Sequence, residues 1–108
     1  MDCRERLQRV RDYIETHLED RLTLTHLAEV ACLSPYHFSR SFKQSVGIGP
    51  QRYIMRLRIE RAKTLMRRTR RPLAAIALET GFADQAHLTS VFRRETGLTP
   101  GRYRGALA

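Results

Sequence analysis

The chain repeats itself at a spacing of 50 residues. When residues 37–53 are laid over residues 87–103, six of the 17 positions are identical. The identical pairs are His37/His87, Phe42/Phe92, Gly47/Gly97, Pro50/Pro100, Arg52/Arg102 and Tyr53/Tyr103. Because chance gives about one identity in 17 positions, the chain contains one motif twice, by duplication or by convergence. Two copies are fewer than the three or so that a solenoid needs, so the repeat indicates a pair of motifs.

Helix signals follow the same repeat. Apolar residues recur at three- and four-residue steps almost throughout, and no convincing strand is found. Ser34 followed by Pro35 is a strong start signal for a helix, and Gly47 is expected to end it. The expected helix starts are Asp2, Thr23, Ser34-Pro35, Gly49-Pro50, Leu73, Asp84 and Thr99-Pro100. Thr69 to Pro72 is expected to form a basic loop.

Each copy consists of a short helix, a tight turn and a longer helix. A small residue on the first helix, Ala28 or Ala77, lets the two helices approach closely, and Leu33 or Phe82 anchors the turn. This pattern is typical of a helix-turn-helix, whose second helix is free to enter a DNA groove. The sequence therefore predicts an all-α fold of about seven helices, with two helix-turn-helix subdomains. The expected divisions are 1–49 for the N-terminal subdomain, 50–68 for a linker helix and 69–108 for the C-terminal subdomain.

The length of the linker helix suits two neighbouring DNA grooves. Nineteen residues from Pro50 to Arg68 span roughly 28 Å at about 1.5 Å per residue. Successive major-groove faces on one side of B-DNA are about 34 Å apart. A stiff connector of that length could hold the second helices of the two motifs, about 35–46 and 85–96, in adjacent major grooves. One chain would then do what many regulators need a dimer to do.

The distribution of charge favours a polyanionic partner, nucleic acid first and an anionic membrane surface second. The chain has 20 Lys and Arg against 11 Asp and Glu, a formal net charge of +9. Residues 40–71 hold eleven cations against Glu60 alone, whereas residues 1–20 have a net charge of −2. A stripe that faces phosphates requires such segregation, and a uniformly solvated surface does not.

Other classes of protein find little support in the sequence. No window approaches the roughly 20 apolar residues of a membrane span, and no secretory signal is seen at the N-terminus. Cys3 and Cys32 are the only cysteines and lack metal-site spacing, so a reducing cytoplasm is the simplest location. No phosphate loop or nucleophile-base arrangement appears, so no enzyme activity, catalytic residue, metal or cofactor is expected.

A family signature covers the second copy most specifically. Ile76 to Asp84 reads I-A-L-E-T-G-F-A-D, and Phe92 to Arg104 reads F-R-R-E-T-G-L-T-P-G-R-Y-R. These segments, with Ser34 to Lys43 in the first copy and Tyr53 to Met66, resemble the DNA-binding domain of the AraC/XylS family of bacterial transcription regulators. The resemblance covers roughly residues 5–104.

The absence of the family's usual N-terminal effector or dimerisation domain makes the chain similar to stand-alone members of the MarA and SoxS type. The resemblance implies a cytoplasmic, nucleoid-associated activator that binds double-stranded promoter DNA as a monomer and recruits RNA polymerase. Arg58, among the core positions of the linker helix, matches an arginine of the family. We interpret it as a structural residue that braces the two motifs, in preference to a DNA contact.

The first turn departs from the family pattern. Cys32 stands where glycine is common and where the second copy has Gly81. If Cys32 adopts the left-handed conformation, the backbone cost is about 1–2 kcal/mol. Its thiol is expected to be a small core-facing side chain rather than a redox sensor.

Candidate DNA contacts lie on the outer faces of the second helices, because Phe38 and Phe42 point inward in the first copy. Arg40 is the best candidate for a bidentate guanine contact, and Gln85 is the best base reader of the second copy. The predicted base contacts are Tyr36, Ser39, Arg40, Gln85 and Thr89. The predicted phosphate contacts are Pro35, Lys43, Arg70, Arg71, Ala86, Ser90 and Arg93. His37 and His87 are expected to contact phosphate or to cap their helices.

Interpretations without a specific DNA contact remain open for several of these residues. Arg40 could form a surface ion pair, and Gln85 could be polar only because it begins a helix. The arginines at 67, 68, 70 and 71 could form a solvated basic tail. The outer face of residues 85–96 has few long side chains, so the second copy could clamp the DNA backbone without reading bases.

Two other functions compete with a sequence-specific regulator. One is a DNA-binding module cut from an Ada-type repair enzyme, whose chemistry needs more cysteines than two. The other is a protein-interaction or anti-activator module with only non-specific DNA affinity. The acidic side of the first helix could serve such contacts, through Asp12, Glu15, Glu19 and Asp20.

Overall fold

The computed structural model describes residues 2–107, apart from the side chain of Cys3, and this part of the chain is all-helical. Seven helices occur in it, and no strand, which confirms the predicted fold class. They are α1 (Cys3–Thr16), α2 (Leu24–Val30), α3 (Pro35–Val46), α4 (Pro50–Arg68), α5 (Leu73–Glu79), α6 (Gln85–Thr96) and α7 (Pro100–Ala106). None of the helices in the described range is long and apolar enough to cross a membrane.

Side-chain caps fix most of the helix starts. Ser34 Oγ accepts a hydrogen bond from the backbone N–H of His37 at 3.2 Å, and Asp84 Oδ1 accepts one from His87 at 2.8 Å. Asp2, Thr23 and Thr99 cap α1, α2 and α7 in the same way. Such a bond satisfies a backbone donor that the first turn of a helix otherwise leaves unpaired. Helix α5 differs, because Pro72 at its N-cap makes no side-chain hydrogen bond.

Left-handed residues end the helices where the sequence places them. Gly47 and Gly97 follow α3 and α6 with φ of 93° and 81°. In the two helix-turn-helix turns, Gly81 has φ of 89° and Cys32 has φ of 57°. Only glycine adopts this conformation without a steric penalty at Cβ, so Cys32 carries the predicted backbone strain.

The prediction that the Cys32 thiol faces the core is wrong. Cys32 is an exposed free cysteine, whereas the neighbouring Ala31 is completely buried. The physical reason is the turn itself, in which Ala31 ends the helical conformation pointing inward. The left-handed residue that follows then projects its Cβ towards solvent.

Replacing Cys32 with glycine is expected to raise the free energy of unfolding by about 0.5–1 kcal/mol. Glycine removes backbone strain of about 1–2 kcal/mol from the folded state, which stabilises the protein. It also increases the conformational entropy of the unfolded chain, which costs about 0.5–1 kcal/mol. Urea denaturation followed by circular dichroism measures the change. Gly81→Ala is the matched control and should destabilise the protein by more than about 1 kcal/mol. A loss of stability in Cys32→Gly would contradict the strain argument.

The chain forms two compact units that divide between Ile54 and Met55, within α4. The core of the first unit is built from buried side chains of α1, α2, α3, the start of α4 and the segments that follow α1 and α2. Its members are Leu7, Val10, Ile14, Leu18, Leu27, Ala28, Ala31, Phe38, Phe42 and Ile54. The core of the second unit contains Ile59, Ala62, Met66, Ile76, Ala77, Phe82, Leu88, Val91 and Phe92.

The same aromatic pair closes each core. The rings of Phe42 and Tyr53 meet edge to face, with centroids 5.2 Å apart, and those of Phe92 and Tyr103 do so at 5.4 Å. Edge-to-face packing is a preferred geometry of aromatic rings. The 50-residue repeat therefore corresponds to a repeated core contact.

Candidate nucleic-acid interface

Helix α3 presents a polar face because its apolar side chains are buried. Phe38 and Phe42 are completely buried, and Tyr36 is 70% exposed. The predicted contacts Pro35, Tyr36, Arg40 and Lys43 are exposed, and Ser39 is half-buried. They occur at steps of one, three and four residues, which places them along one side of the helix. The structure therefore brings the predicted contacts of the first copy together on one helical face.

Arg40 is available for a ligand. Its Nη1 donates a long hydrogen bond of 3.5 Å to Tyr36 Oη, one helical turn earlier. No ion pair of Arg40 occurs in the part of the chain that the structure describes. An exposed guanidinium with several free donors can form the bidentate pair with guanine O6 and N7.

Helix α6 repeats this arrangement with smaller side chains. Leu88 and Phe92 are completely buried, and Val91 is 4% exposed. The predicted contacts Gln85, Ala86, Ser90 and Arg93 are exposed, and Thr89 is half-buried, as is Ser39 at the equivalent position. The outer face of α6 thus offers one amide, two hydroxyls and one guanidinium. It has fewer long polar side chains than the outer face of α3.

His37 and His87 make capping contacts. Nδ1 of His37 lies 3.2 Å from Ser34 Oγ, and Nδ1 of His87 accepts a hydrogen bond from the backbone N–H of Ala83 at 3.4 Å. Both rings therefore use one nitrogen within the start of their own helix, which is one of the two roles predicted for them.

Arg58 is placed as a structural residue. Only 6% of it is exposed, and burial lowers the pKa of its guanidinium. A buried side chain on α4 is not presented to a partner. Arg11 has the opposite shift, since a hydrogen bond from its Nε to Tyr53 Oη, 3.3 Å long, raises the pKa of Arg11.

The loop between α4 and α5 holds Arg70 and Arg71, both exposed. Arg71 Nη1 forms an ion pair with Glu79 Oε2 of α5. Arg104 of α7 donates hydrogen bonds to the same loop, a contact that was not among the sequence-based predictions. The repeat itself carries a signal for it, because Arg104 corresponds to Ile54 in the first copy. A charged residue in place of a buried apolar one indicates a contact specific to the second unit.

Two helix-turn-helix units with polar, basic outer helices define a DNA-binding protein of the helix-turn-helix class. Among residues 2–107, no group of three or more His, Cys, Asp or Glu side chains is arranged to hold a metal ion.

Comparison with known proteins identifies the family. A profile described as a helix-turn-helix domain matches residues 27–106. The crystal structure of an AraC-type transcriptional regulator from Chromobacterium violaceum superposes with a TM-score of 0.88 and 28% identity, covering 97% of this chain and 94% of that one. The chain belongs to the AraC-type helix-turn-helix family of transcription-regulator DNA-binding domains.

Two further relatives bear on function. The DNA-binding domain of AdpA, a global transcriptional factor solved in complex with a target DNA, matches with a TM-score of 0.89 and 28% identity over 93% of this chain and 90% of that one. The bifunctional transcriptional activator and DNA repair enzyme AdaA of Bacillus subtilis is 35% identical over 88% of this chain and 45% of its own length. The chain spans less than half the length of the curated relatives that it matches.

Proposed function

We propose that this chain is a sequence-specific regulator of transcription that binds double-stranded promoter DNA as a monomer in the cytoplasm. Helices α3 and α6 enter adjacent major grooves, and the bound protein recruits RNA polymerase as an activator. The observation that carries the proposal is the exposed Arg40, which has no ion pair among the described residues and lies on an α3 whose Phe38 and Phe42 are completely buried. The 19-residue α4 between the two motifs supports a spacing of about one helical turn of DNA.

The two motifs have unequal roles in this proposal. Arg40 reads guanine, while Tyr36 and Ser39 contact base edges or a thymine methyl. Gln85 reads adenine, and Thr89 contacts a methyl group. Lys43, Arg93 and the basic loop between α4 and α5 bind phosphates, which position the protein without specifying sequence. Pro35 and Ala86, in the first turns of α3 and α6, and Ser90, one turn further along α6, approach the same backbone.

Selection from a random duplex library at about 0.15 M salt tests the proposal. The wild-type chain should enrich a site with two half-motifs about one helical turn apart. Arg40→Ala should relax one half-motif and Gln85→Ala the other, each weakening binding by about 1–3 kcal/mol. Gln44→Ala is the matched control, because it removes an exposed polar side chain of α3 that has no predicted contact.

Two other outcomes separate the alternatives. Enrichment of a single half-motif would mean that α6 only clamps the backbone and that the assignment of Gln85 is wrong. If no sequence is enriched and binding depends on salt alone, the chain is an interaction module with non-specific DNA affinity. The exposed acidic residues Asp12 and Glu19 of the first unit are then the first surface to examine.

A further inference from the structure

The loop between α4 and α5, residues 69–72, is fixed by hydrogen bonds from both sides. From α4, the carbonyl of Leu65 accepts a bond of 2.7 Å from Thr69 Oγ1, which itself accepts one from the backbone N–H of Arg71 at 3.3 Å. From α7, Arg104 donates from Nη1 to the carbonyl of Arg71 at 2.6 Å and from Nη2 to that of Thr69 at 3.2 Å. The planar guanidinium of Arg104 thus donates hydrogen bonds to the backbone carbonyls on both sides of Arg70.

The two arginines of this loop differ in their electrostatic state. Arg71 is paired with the carboxylate of Glu79. Arg70 is exposed, and in the described part of the chain no hydrogen bond or ion pair engages its side chain. An approaching phosphate therefore meets an uncompensated positive charge at Arg70, whereas at Arg71 it must compete with a carboxylate.

The first unit forms the same motif without an arginine that binds the loop. The residue equivalent to Arg104 is Ile54, which is 3% exposed and part of the core. At the equivalent loop, Thr23 caps α2 with its side chain, which Pro72 cannot do for α5. A helix-turn-helix of this type thus does not require the arginine. The contact either compensates for the missing cap or orients the loop for a ligand, and these two roles make different predictions.

We propose that Arg104 is a positioning residue for DNA binding. It orients the loop so that Arg70, and not Arg71, binds a backbone phosphate, while its own guanidinium stays on the two carbonyls. The inference rests on the proposed DNA-binding function and adds to it the identity of one phosphate contact and of the residue that organises it.

The dependence of affinity on salt tests this inference, because each lost phosphate contact reduces the slope of log K against log salt by about 0.9. Binding of the selected duplex and of a random duplex is measured for wild type, Arg70→Ala, Arg104→Ala and the double variant. Each single variant should lose about 0.9 from the slope, and the double variant should lose no more than either. Arg71→Ala should leave the slope unchanged. Arg102→Ala is the matched control, since it removes an exposed arginine of α7 whose side chain forms no hydrogen bond or ion pair in the described part of the chain.

Arg104→Lys separates orientation from charge. Lysine keeps the charge but lacks the planar fork, so this variant should lose the same phosphate contact as Arg104→Ala. Thermal denaturation of each variant shows whether it is folded. If Arg104→Ala does not fold, Arg104→Lys combined with Arg70→Ala gives the same test of additivity.

Several results would overturn the inference. Additive losses, about 1.8 in the double variant, would mean that Arg104 binds DNA itself. If Arg104→Lys keeps the wild-type salt slope, only the charge of residue 104 matters for DNA binding. If Arg104→Ala is destabilised but keeps the wild-type salt slope, Arg104 only compensates for the missing cap of α5. A loss of slope in Arg71→Ala without one in Arg70→Ala would reverse the assignment of the phosphate contact.

If Arg40→Ala loses specificity while the loop variants bind like wild type, this inference fails alone. If the wild type selects no sequence, the proposed function fails.

Discussion

Replacing Phe92 with alanine is expected to lower the free energy of unfolding by about 3–5 kcal/mol. Phe92 is completely buried in the second unit and packs edge to face on Tyr103. Removing the ring leaves a cavity that close-packed neighbours fill only in part. Because small domains are stable by only about 5–15 kcal/mol, a loss of this size removes a large fraction of the folding free energy.

The repeat supplies the matched experiment. Phe42 occupies the equivalent position of the first unit, is also completely buried and packs on Tyr53. Phe42→Ala should therefore cost about as much as Phe92→Ala. Tyr36→Ala is the control, because its side chain is 70% exposed and surface substitutions change stability by about 0.5 kcal/mol or less.

Urea denaturation gives the free energies for these variants, and amide hydrogen exchange shows where protection is lost. Exchange should accelerate first around Leu88 in Phe92→Ala and around Leu27 in Phe42→Ala. A loss below about 1 kcal/mol in either variant would contradict the assignment of these rings to the two cores.

Local signals explain why the helices could be predicted from the sequence. Ser34-Pro35 and Gly47 bracket α3, and Pro50 begins α4, as the caps and turns indicate. Each of these signals acts within one helical turn, so no tertiary information is needed. The three- and four-residue spacing of Phe38 and Phe42 likewise fixes which side of α3 is buried.

Contacts over long sequence distances could not be predicted in this way. Arg104 meets Thr69 and Arg71 across 35 and 33 residues, and no periodicity or capping rule links them. The prediction that the Cys32 side chain faces the core is wrong for a related reason. Its backbone conformation follows from the turn, but the buried place beside it is taken by Ala31, which depends on how the core packs. The individual DNA contacts stay predictions, since exposure shows only that a side chain can reach a ligand.

The salt dependence of DNA binding should be large, and the slope of log K against log salt should give the number of phosphate contacts. If Lys43, Arg70, Arg71 and Arg93 each neutralise one phosphate, log K falls with log salt at a slope of about −3.6. Between 50 and 400 mM salt the affinity then falls by about 2,000-fold. Because Glu79 keeps Arg71 occupied, three contacts are expected instead, with a slope of about −2.7 and a loss of about 300-fold.

Fluorescence anisotropy with a selected and a random duplex, titrated across that range of salt, measures both slopes. Phosphate contacts are independent of sequence, so the slopes should be similar while the affinities differ. Glu79→Gln provides the sharpest comparison, because it removes the ion pair that holds Arg71. This variant should steepen the slope by about 0.9 as Arg71 becomes free to bind a phosphate. A slope shallower than about −1 in the wild type would mean that the basic segment 40–71 does not face the DNA backbone, and the two outer helices would then have to bind through base contacts alone.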